Sequence, residues 1–177
     1  MEAWAQDEHR LGLKPVLRRI WTRRGERPLA PVHHRYEWLY VYGFVRPATG
    51  ESFWLVLPTV NKELFSVALG EFAEWVGAGE DKRVLLAIDQ AGWHTSKDVA
   101  LPEGIHLLEL PTYSPELQPA ERLWPLLDEP VANRRLEDLD ELEGVLVGRC
   151  LALADRPETV RSHTRFHWWE EWDEAAS

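Results

Sequence analysis

The stretch Arg83–Asp89 (RVLLAID) decides the fold class, because it is a short apolar run that ends on a carboxylate. A continuous apolar run of this length is typical of a strand buried on both faces, as in a parallel sheet covered by helices. A second such run, Ile105–Leu110 (IHLLEL), is ended by Pro111. The two runs predict helix-connected parallel strands, and therefore an α/β fold.

Upstream of this pair, the chain predicts antiparallel strands. Trp38–Val45 (WLYVYGFV) and Ser52–Leu57 (SFWLVL) are aromatic and β-branched runs joined by a segment with proline and glycine, which together indicate a β-hairpin. Apolar residues in Met1–Asp7 predict a first short strand that ends at Asp7. The predicted sheet therefore begins with antiparallel strands and continues with parallel ones.

Helical periodicity occurs in three places. Asn61 is placed to cap a helix whose apolar residues recur at helical spacing from Leu64 to Val76. A second helical pattern runs from Pro119 to Pro130, and a longer one from Leu136 to Ala154. The order of strands and helices predicts one layered α/β domain over residues 1–156.

Residues 157–177 are polar, acidic and aromatic, and we interpret them as a C-terminal tail. Three tryptophans lie among its acids: Trp168, Trp169 and Trp172. We expect them to pack back onto the domain; the alternative is a docking patch for a partner subunit.

Length and composition exclude several classes of protein. A chain of 177 residues fits one ordinary domain. None of its apolar runs approaches the roughly 18–20 residues of a membrane span, and residues 1–10 do not read as a signal peptide. The single cysteine, Cys150, excludes an internal disulfide framework and a Cys-rich zinc site. We therefore expect a cytoplasmic protein without a membrane partner.

The net charge of −10 argues against a nucleic-acid partner, but the charges are unevenly distributed. Residues 1–50 carry nine Lys and Arg against five acids. The basic segment 14–27 is the best candidate for contact with a DNA backbone, with Trp21 as a stacking platform. The alternative is a solvated loop. The candidate DNA contacts are Lys14, Arg18, Arg19, Arg23 and Arg24.

Three acids follow or end predicted strands and are expected to converge: Asp7, Asp89 and Glu121. Sites in open α/β sheets form where adjacent strands end. Carboxylates gathered there repel one another and have raised pKa values unless a cation neutralises them. Hard divalent ions take such oxygen ligands, and a pair of them can stabilise an in-line phosphoryl displacement. Purely structural roles stay open for two of these acids, because Asp7 could cap a turn and the helix dipole alone favours Glu121 in a first helical turn.

Two side chains near these acids are candidate auxiliary residues. Glu8 is a competing ligand beside the first acid. His94, five residues past the second acid, either contacts substrate phosphate, positions a metal-bound water or bonds a backbone carbonyl structurally. Trp124, three residues after the third acid, is expected to pack in the core.

Three stretches of the chain resemble the DDE/D transposases, specifically the insertion-sequence transposases of the mariner-like superfamily. They are AWAQDEHRLGLKP (residues 3–15), LLAIDQAGWHTS (85–96) and LPTYSPELQPAERLW (110–124). Members of that family carry their first acid in the DE pair, their second in a D-N/Q-A-x-x-H segment and their third in SPELNPIE-x-x-W. The resemblance assigns these roles to Asp7, Asp89 and Glu121.

The resemblance implies a ribonuclease H-like fold, with a mixed five-stranded sheet flanked by helices. It implies a catalytic domain that performs DNA cleavage and strand transfer at insertion-sequence ends in a prokaryote, where the protein is nucleoid-associated when bound to DNA. The three acids would hold two Mg²⁺ or Mn²⁺ ions, with Gln90 as a further auxiliary residue. Gln90 and Gln118 replace asparagines of the family and keep the amide.

Two departures from the family pattern bear on partners. Asp128, Glu129 and Pro130 occupy a stretch where relatives usually carry a basic residue or two, which would weaken contact with a DNA backbone. The family's helix-turn-helix modules have no counterpart, so we expect a homodimer or a companion helix-turn-helix subunit to supply DNA affinity. The alternatives are another ribonuclease H-like nuclease, acting on RNA–DNA hybrids or branched DNA, and an inactive remnant that binds DNA or a partner transposase subunit.

Overall fold

Five strands form one mixed sheet in the computed structural model, which describes residues 1–14, 16–19, 23–25, 35–94, 98–112, 114–167 and 169. The strands are β1 (Glu2–Gly12), β2 (Trp38–Val45), β3 (Ser52–Leu57), β4 (Val84–Ile88) and β5 (Ile105–Glu109). Their spatial order is β3–β2–β1–β4–β5. β2 runs antiparallel to β1 and β3, whereas β4 runs parallel to β1 and β5. The predicted hairpin and the predicted mixed five-stranded sheet are confirmed.

In the described ranges, four α-helices accompany the sheet: α1 (Lys62–Val76), α2 (Trp124–Leu127), α3 (Leu139–Ala154) and α4 (Pro157–Thr164). Asn61 caps α1 as predicted, because its side-chain oxygen accepts the Leu64 N–H at 2.8 Å. Two 3₁₀ helices, Pro115–Leu117 and Pro119–Leu123, precede α2. Within the described part of the chain, no helix is long and apolar enough to cross a membrane.

Each face of the sheet has its own hydrophobic core. On one face, Trp4 and Phe44 pack against Phe72 of α1. On the other face, Ala5 and its neighbours pack with Leu123 and with Leu146 of α3. Both faces of the sheet are therefore packed, and a site is expected where adjacent strands end.

The first strand is longer than predicted, and Asp7 lies within it rather than at its end. β2 pairs with β1 as far as Gly12 opposite Trp38, which keeps the chain extended beyond Asp7. The parallel pairing with β4, by contrast, covers only Glu2 to Ala5. Asp7 therefore lies just past the end of the parallel pairing although its strand continues.

The segment that we interpreted as a C-terminal tail begins with a helix that packs on the domain. Val160 and Thr164 of α4 are fully buried, and Trp169 is 1% exposed within the core that contains α3. The packing of the domain thus continues through the described part of this segment. Trp168 and Trp172 lie outside the described residues.

Candidate metal and DNA-cleavage site

Asp7, Asp89 and Glu121 line one open cavity of about 390 Å³. Strand register explains how the first two meet, because Ala5 of β1 is the partner of Ala87 of β4. Side chains alternate between the faces of a sheet, so the residues two positions further on return to the same face. Those residues are Asp7 and Asp89, which therefore lie side by side where the parallel pairing ends.

Gln118 attaches the segment that carries Glu121 to the first strand. Its side chain is 3% exposed, and its Nε2 donates to the Gln6 carbonyl at 2.9 Å. Its Oε1 accepts the Ala120 N–H at 3.4 Å and so caps the 3₁₀ helix Pro119–Leu123. Glu121 lies in the first turn of that helix. An amide is needed at position 118 because it donates to one segment and accepts from the other.

Asp7 is buried, with 9% exposure, and accepts a hydrogen bond from an indole distant in the sequence. Trp124 Nε1 donates to Asp7 Oδ2 at 2.9 Å. Gly43 is the β2 partner of Asp7, and a Cβ at that position would lie 3.0 Å from Trp124 Cη2. The indole also stacks on His9 at 5.0 Å between ring centroids. The missing side chain at Gly43 thus makes room for the donor to Asp7.

Burial raises the pKa of Asp7 to about 7, and the negative charges of Glu121 and Glu8 act in the same direction. The hydrogen bond from Trp124 opposes this shift without cancelling it. Near neutral pH, Asp7 is therefore divided between its protonated and ionised forms. A cation in the cavity would favour the ionised form.

Asp89 has a different environment, because its side chain is half exposed and bonded to a buried histidine. His94 Nδ1 lies 2.6 Å from Asp89 Oδ1, and Nε2 lies 2.8 Å from Glu8 Oε1. Burial alone would lower the pKa of His94, but the bonds to Asp89 and Glu8 raise it to about 9. The hydrogen bond from His94 in turn holds the pKa of Asp89 below its usual value, against partial burial.

The other two auxiliary candidates lie on different sides of the sheet. Gln90 lines the cavity, and its Nε2 donates to the Leu110 carbonyl at 3.0 Å. Glu8 follows Asp7 directly on β1, so its side chain lies on the opposite face and bonds His94. The structure therefore brings Gln90 to the three acids, whereas Glu8 is connected to Asp89 through His94.

The candidate DNA contacts differ in their surroundings. Arg18 donates to the Pro125 carbonyl at 2.9 Å and lies 3.5 Å from Asp128, so its guanidinium is engaged within the protein. Lys14 lines a separate cavity of about 260 Å³. The remaining three, Arg19, Arg23 and Arg24, are exposed. Trp21 lies outside the described residues.

The donor set suits a hard divalent cation without forming a finished cage. Among the described residues, no three His, Cys, Asp or Glu side chains are grouped closely enough to hold a metal ion by themselves. Mg²⁺ usually takes one or two carboxylates and completes its shell with waters and substrate phosphates. Three carboxylates around one open cavity, one of them buried with a raised pKa, fit that mode of binding.

Comparison with known proteins assigns the family. The family model described as "DDE superfamily endonuclease" matches residues 2–143. The chain belongs to the DDE superfamily endonucleases. A relative from Sinorhizobium fredii, the uncharacterized protein y4pE/y4sA, is 35% identical over 130 residues, which are 71% of this chain and 92% of that protein.

Solved structures show the same fold at low sequence identity. A Mos1 transposase paired-end complex with the left transposon end matches with a TM-score of 0.60 and 15% identity, over 94% of this chain and 56% of that one. Mos1 mariner paired-end complexes with Mn and with Mg match with TM-scores of 0.60 and 0.58, at 16% and 17% identity. The match with Mn covers 93% of this chain and 56% of the Mos1 chain, and the match with Mg covers 94% and 57%. These matches confirm the ribonuclease H-like fold, and the chain spans little more than half of those proteins.

The sequence analysis missed the contribution of Trp124 to the site. We predicted that Trp124 packs in the core, and it is 6% exposed there. Its bond to Asp7 was missed because we expected an α-helix after Glu121, in which a residue three positions on lies on a neighbouring face. Glu121 instead lies in the 3₁₀ helix Pro119–Leu123, and Trp124 begins α2 directly after it, so the two residues do not share one regular α-helix. The prolines at 115, 119 and 125 were the available signal that this segment is not one regular α-helix.

Proposed function

We propose that the chain is the catalytic domain of a transposase, which cleaves DNA and transfers its 3′ end to a new site with the help of Mg²⁺ or Mn²⁺. The observation that carries this proposal is the shared cavity of Asp7, Asp89 and Glu121, which come from three distant segments of the chain. Membership of the DDE superfamily endonucleases and the fold shared with Mos1 transposase complexes support it. DNA, and either a second copy or a companion subunit, are the proposed partners.

The three carboxylates would hold the ions, two in number if both the attacking and the leaving oxygen are stabilised. Bound metal supplies charge stabilisation for a phosphoryl group and activates the attacking hydroxyl. This chain's own residues fix where that happens: Trp124 donates to Asp7, His94 bonds Asp89, and Gln118 attaches the Glu121 segment to β1. Because Asp89 and Glu121 are exposed, a phosphodiester can approach the cavity from solvent.

Cleavage of supercoiled plasmid in Mn²⁺ or Mg²⁺, followed on gels, tests the enzyme. Joining of duplex oligonucleotides with free 3′-hydroxyl ends to the same plasmid tests strand transfer. We expect Asp7→Asn, Asp89→Asn and Glu121→Gln each to reduce both reactions by more than about 100-fold, because loss of even an outer partner of a metal ligand costs about 10–100-fold. Asp81→Asn is the matched control, since Asp81 is exposed before β4, at the opposite end of that strand from Asp89.

The outcomes separate the rival functions. Hydrolysis without joining would favour another ribonuclease H-like nuclease and contradict the transposase assignment. Equal activity in wild type and Asp89→Asn would contradict the proposed site. Absence of both reactions, with no Mn²⁺ binding by calorimetry in the presence of DNA, would favour a DNA-binding or partner-binding remnant.

A further inference from the structure

His94 is a buried residue that lies between two carboxylates from different elements. Its ring nitrogens lie 2.6 Å from Asp89 Oδ1 and 2.8 Å from Glu8 Oε1, and the residue is 2% exposed. Because both partners are carboxylates, each ring nitrogen donates a proton to its hydrogen bond. His94 therefore links an acid of the cavity to an acid on the other face of the sheet.

The far end of this link is itself held in place. Gln6 Nε2 donates to Glu8 Oε1 at 2.9 Å, and Trp93 Nε1 lies 3.4 Å from Glu8 Oε2. The imidazole also packs on Phe65 of α1, with 4.4 Å between ring centroids. Glu8 and His94 are thus fixed by β1, by α1 and by the turn after β4.

At the Asp89 end of this link, two hydrogen bonds restrain one carboxylate oxygen. Oδ1 takes both hydrogen bonds that the described residues make to this carboxylate, from the His94 ring and from the Ala91 N–H at 3.0 Å. The backbone N–H of His94 donates to the Ala91 carbonyl at 2.9 Å, which closes the turn. A carboxylate with two donors on Oδ1 has its plane fixed, and Oδ2 is the oxygen left for the cavity.

We propose that His94 and Glu8 are positioning residues for the cavity: Glu8 holds His94, and His94 holds Asp89 so that Oδ2 binds a divalent cation. The inference rests on the proposed function, because it concerns the cation that the three acids would share. Outer partners of this kind orient metal ligands, and their loss typically costs 10–100-fold in metal affinity. A purely structural histidine would close the turn without affecting metal affinity.

Two substitutions test the two hydrogen bonds of the His94 ring separately. In His94→Asn the side-chain amide N–H lies near the position of Nδ1, so it can donate to Asp89 but not reach Glu8. In His94→Gln the amide lies near the position of Nε2, so it keeps the bond to Glu8 and loses the bond to Asp89. His94→Phe fills the same space and loses both. The matched control is His106→Phe, since His106 is exposed on β5.

The experiment measures Mn²⁺ affinity of the full 177-residue chain by calorimetry and by the electron paramagnetic resonance of free Mn²⁺, with thermal unfolding as a check on folding. We expect His94→Phe and His94→Gln to bind Mn²⁺ at least about 10-fold more weakly than wild type. His94→Asn should stay within about threefold, and His106→Phe should match wild type. Glu8→Gln keeps an acceptor for His94 and should weaken binding only severalfold.

The outcomes distinguish failure of the positioning role from failure of the proposed function. Wild-type affinity in a folded His94→Phe, or equal loss in the Asn and Gln variants, would overturn the positioning role and leave the proposed function standing. If His94→Phe does not fold, the comparison of Asn with Gln decides. Absence of Mn²⁺ binding by wild type, with or without DNA, would overturn the proposed function and this inference with it.

Discussion

Asp7 and Asp89 lie side by side at the end of the same parallel pairing, yet their surroundings are opposite. Asp7 is buried and receives an uncharged donor, the indole of Trp124, from the face of the sheet that carries α3. Asp89 is half exposed and receives a buried, doubly bonded histidine from the α1 side. Burial raises the pKa of Asp7 to about 7, whereas the bond from His94 holds the pKa of Asp89 below its usual value.

The difference shows how two acids of one site can avoid mutual repulsion without a cation. Asp89 stays ionised because His94 donates to it, whereas burial leaves Asp7 partly protonated near neutral pH. The metal-free cavity therefore carries less negative charge near neutral pH than its three carboxylates suggest. We expect the proton on Asp7 to be released when a divalent cation binds.

The largest expected effect is on the pH dependence of stability. In metal-free protein the folded-state pKa of Asp7 lies above its unfolded value, so the native state binds more protons between the two values. Stability must then fall as pH rises towards 7, by roughly 1.4 kcal/mol per pH unit, or about 3 kcal/mol between pH 5 and pH 8. Asp7→Asn should lack this contribution and exceed wild type in stability at pH 8, while the fall above about pH 6.5 that follows from the raised pKa of His94 remains. Urea unfolding at each pH, with a chelator present, measures both.

The control for this prediction is the other acid. Asp89→Asn keeps Asp7 and should keep the contribution of Asp7 to the fall between pH 5 and pH 7. It keeps an acceptor for His94 but removes a negative charge, so the contribution of His94 at higher pH should shrink. Identical pH profiles for wild type and Asp7→Asn would contradict the raised pKa. A profile lost in Asp89→Asn but kept in Asp7→Asn would reverse the comparison between the two acids.

Local patterns made much of this fold predictable from the sequence. The apolar run before Asp89, the aromatic and β-branched runs of the hairpin and the cap at Asn61 depend on neighbouring residues, and all three were confirmed. The full length of β1 was not predictable in this way, because its second half is held by pairing with β2 at Trp38. A strand that changes partner along its length carries no local signal of where each pairing ends.

The site divides along the same line. The three acids were identified from a resemblance in short segments, and the structure brings them to one cavity. Their supports were not predictable, because the bond from Trp124 to Asp7 spans 117 positions and depends on Gly43 in a third segment. Part of the link through Glu8 was accessible, because alternation along β1 places Asp7 and Glu8 on opposite faces of the sheet.

The next largest effect is expected from Trp124→Phe, which removes the donor to Asp7 and keeps an aromatic ring. A buried carboxylate that loses its donor should have a still higher pKa, and stability should fall by about 1–2 kcal/mol. Plasmid cleavage should fall by about 10-fold, because Asp7 is no longer oriented. Urea unfolding and the cleavage assay measure the two effects.

Trp54→Phe is the matched control, since Trp54 donates to Ser52 Oγ at 3.0 Å and packs beside Trp124. It removes the same atoms and one hydrogen bond without touching Asp7. Equal loss of cleavage in both variants would mean that Trp124 contributes packing alone, and that the two acids of the comparison differ in burial but not in orientation.

The smallest effect is expected from Gly43→Ala, which tests whether the missing side chain opposite Asp7 is needed. The new Cβ would lie 3.0 Å from Trp124 Cη2 and 3.1 Å from Leu123 Cδ1, so the indole must shift by a few tenths of an ångström. Overpacking costs about 1 kcal/mol or more, partly offset because alanine loses less backbone entropy, which leaves a net loss of roughly 0.5 kcal/mol. Cleavage should fall severalfold as the 2.9 Å bond to Asp7 lengthens.

Gly70→Ala in α1, where a Cβ would meet nothing within 4 Å, should be slightly stabilising and fully active. Full activity in Gly43→Ala would show that Asp7 tolerates a displaced donor.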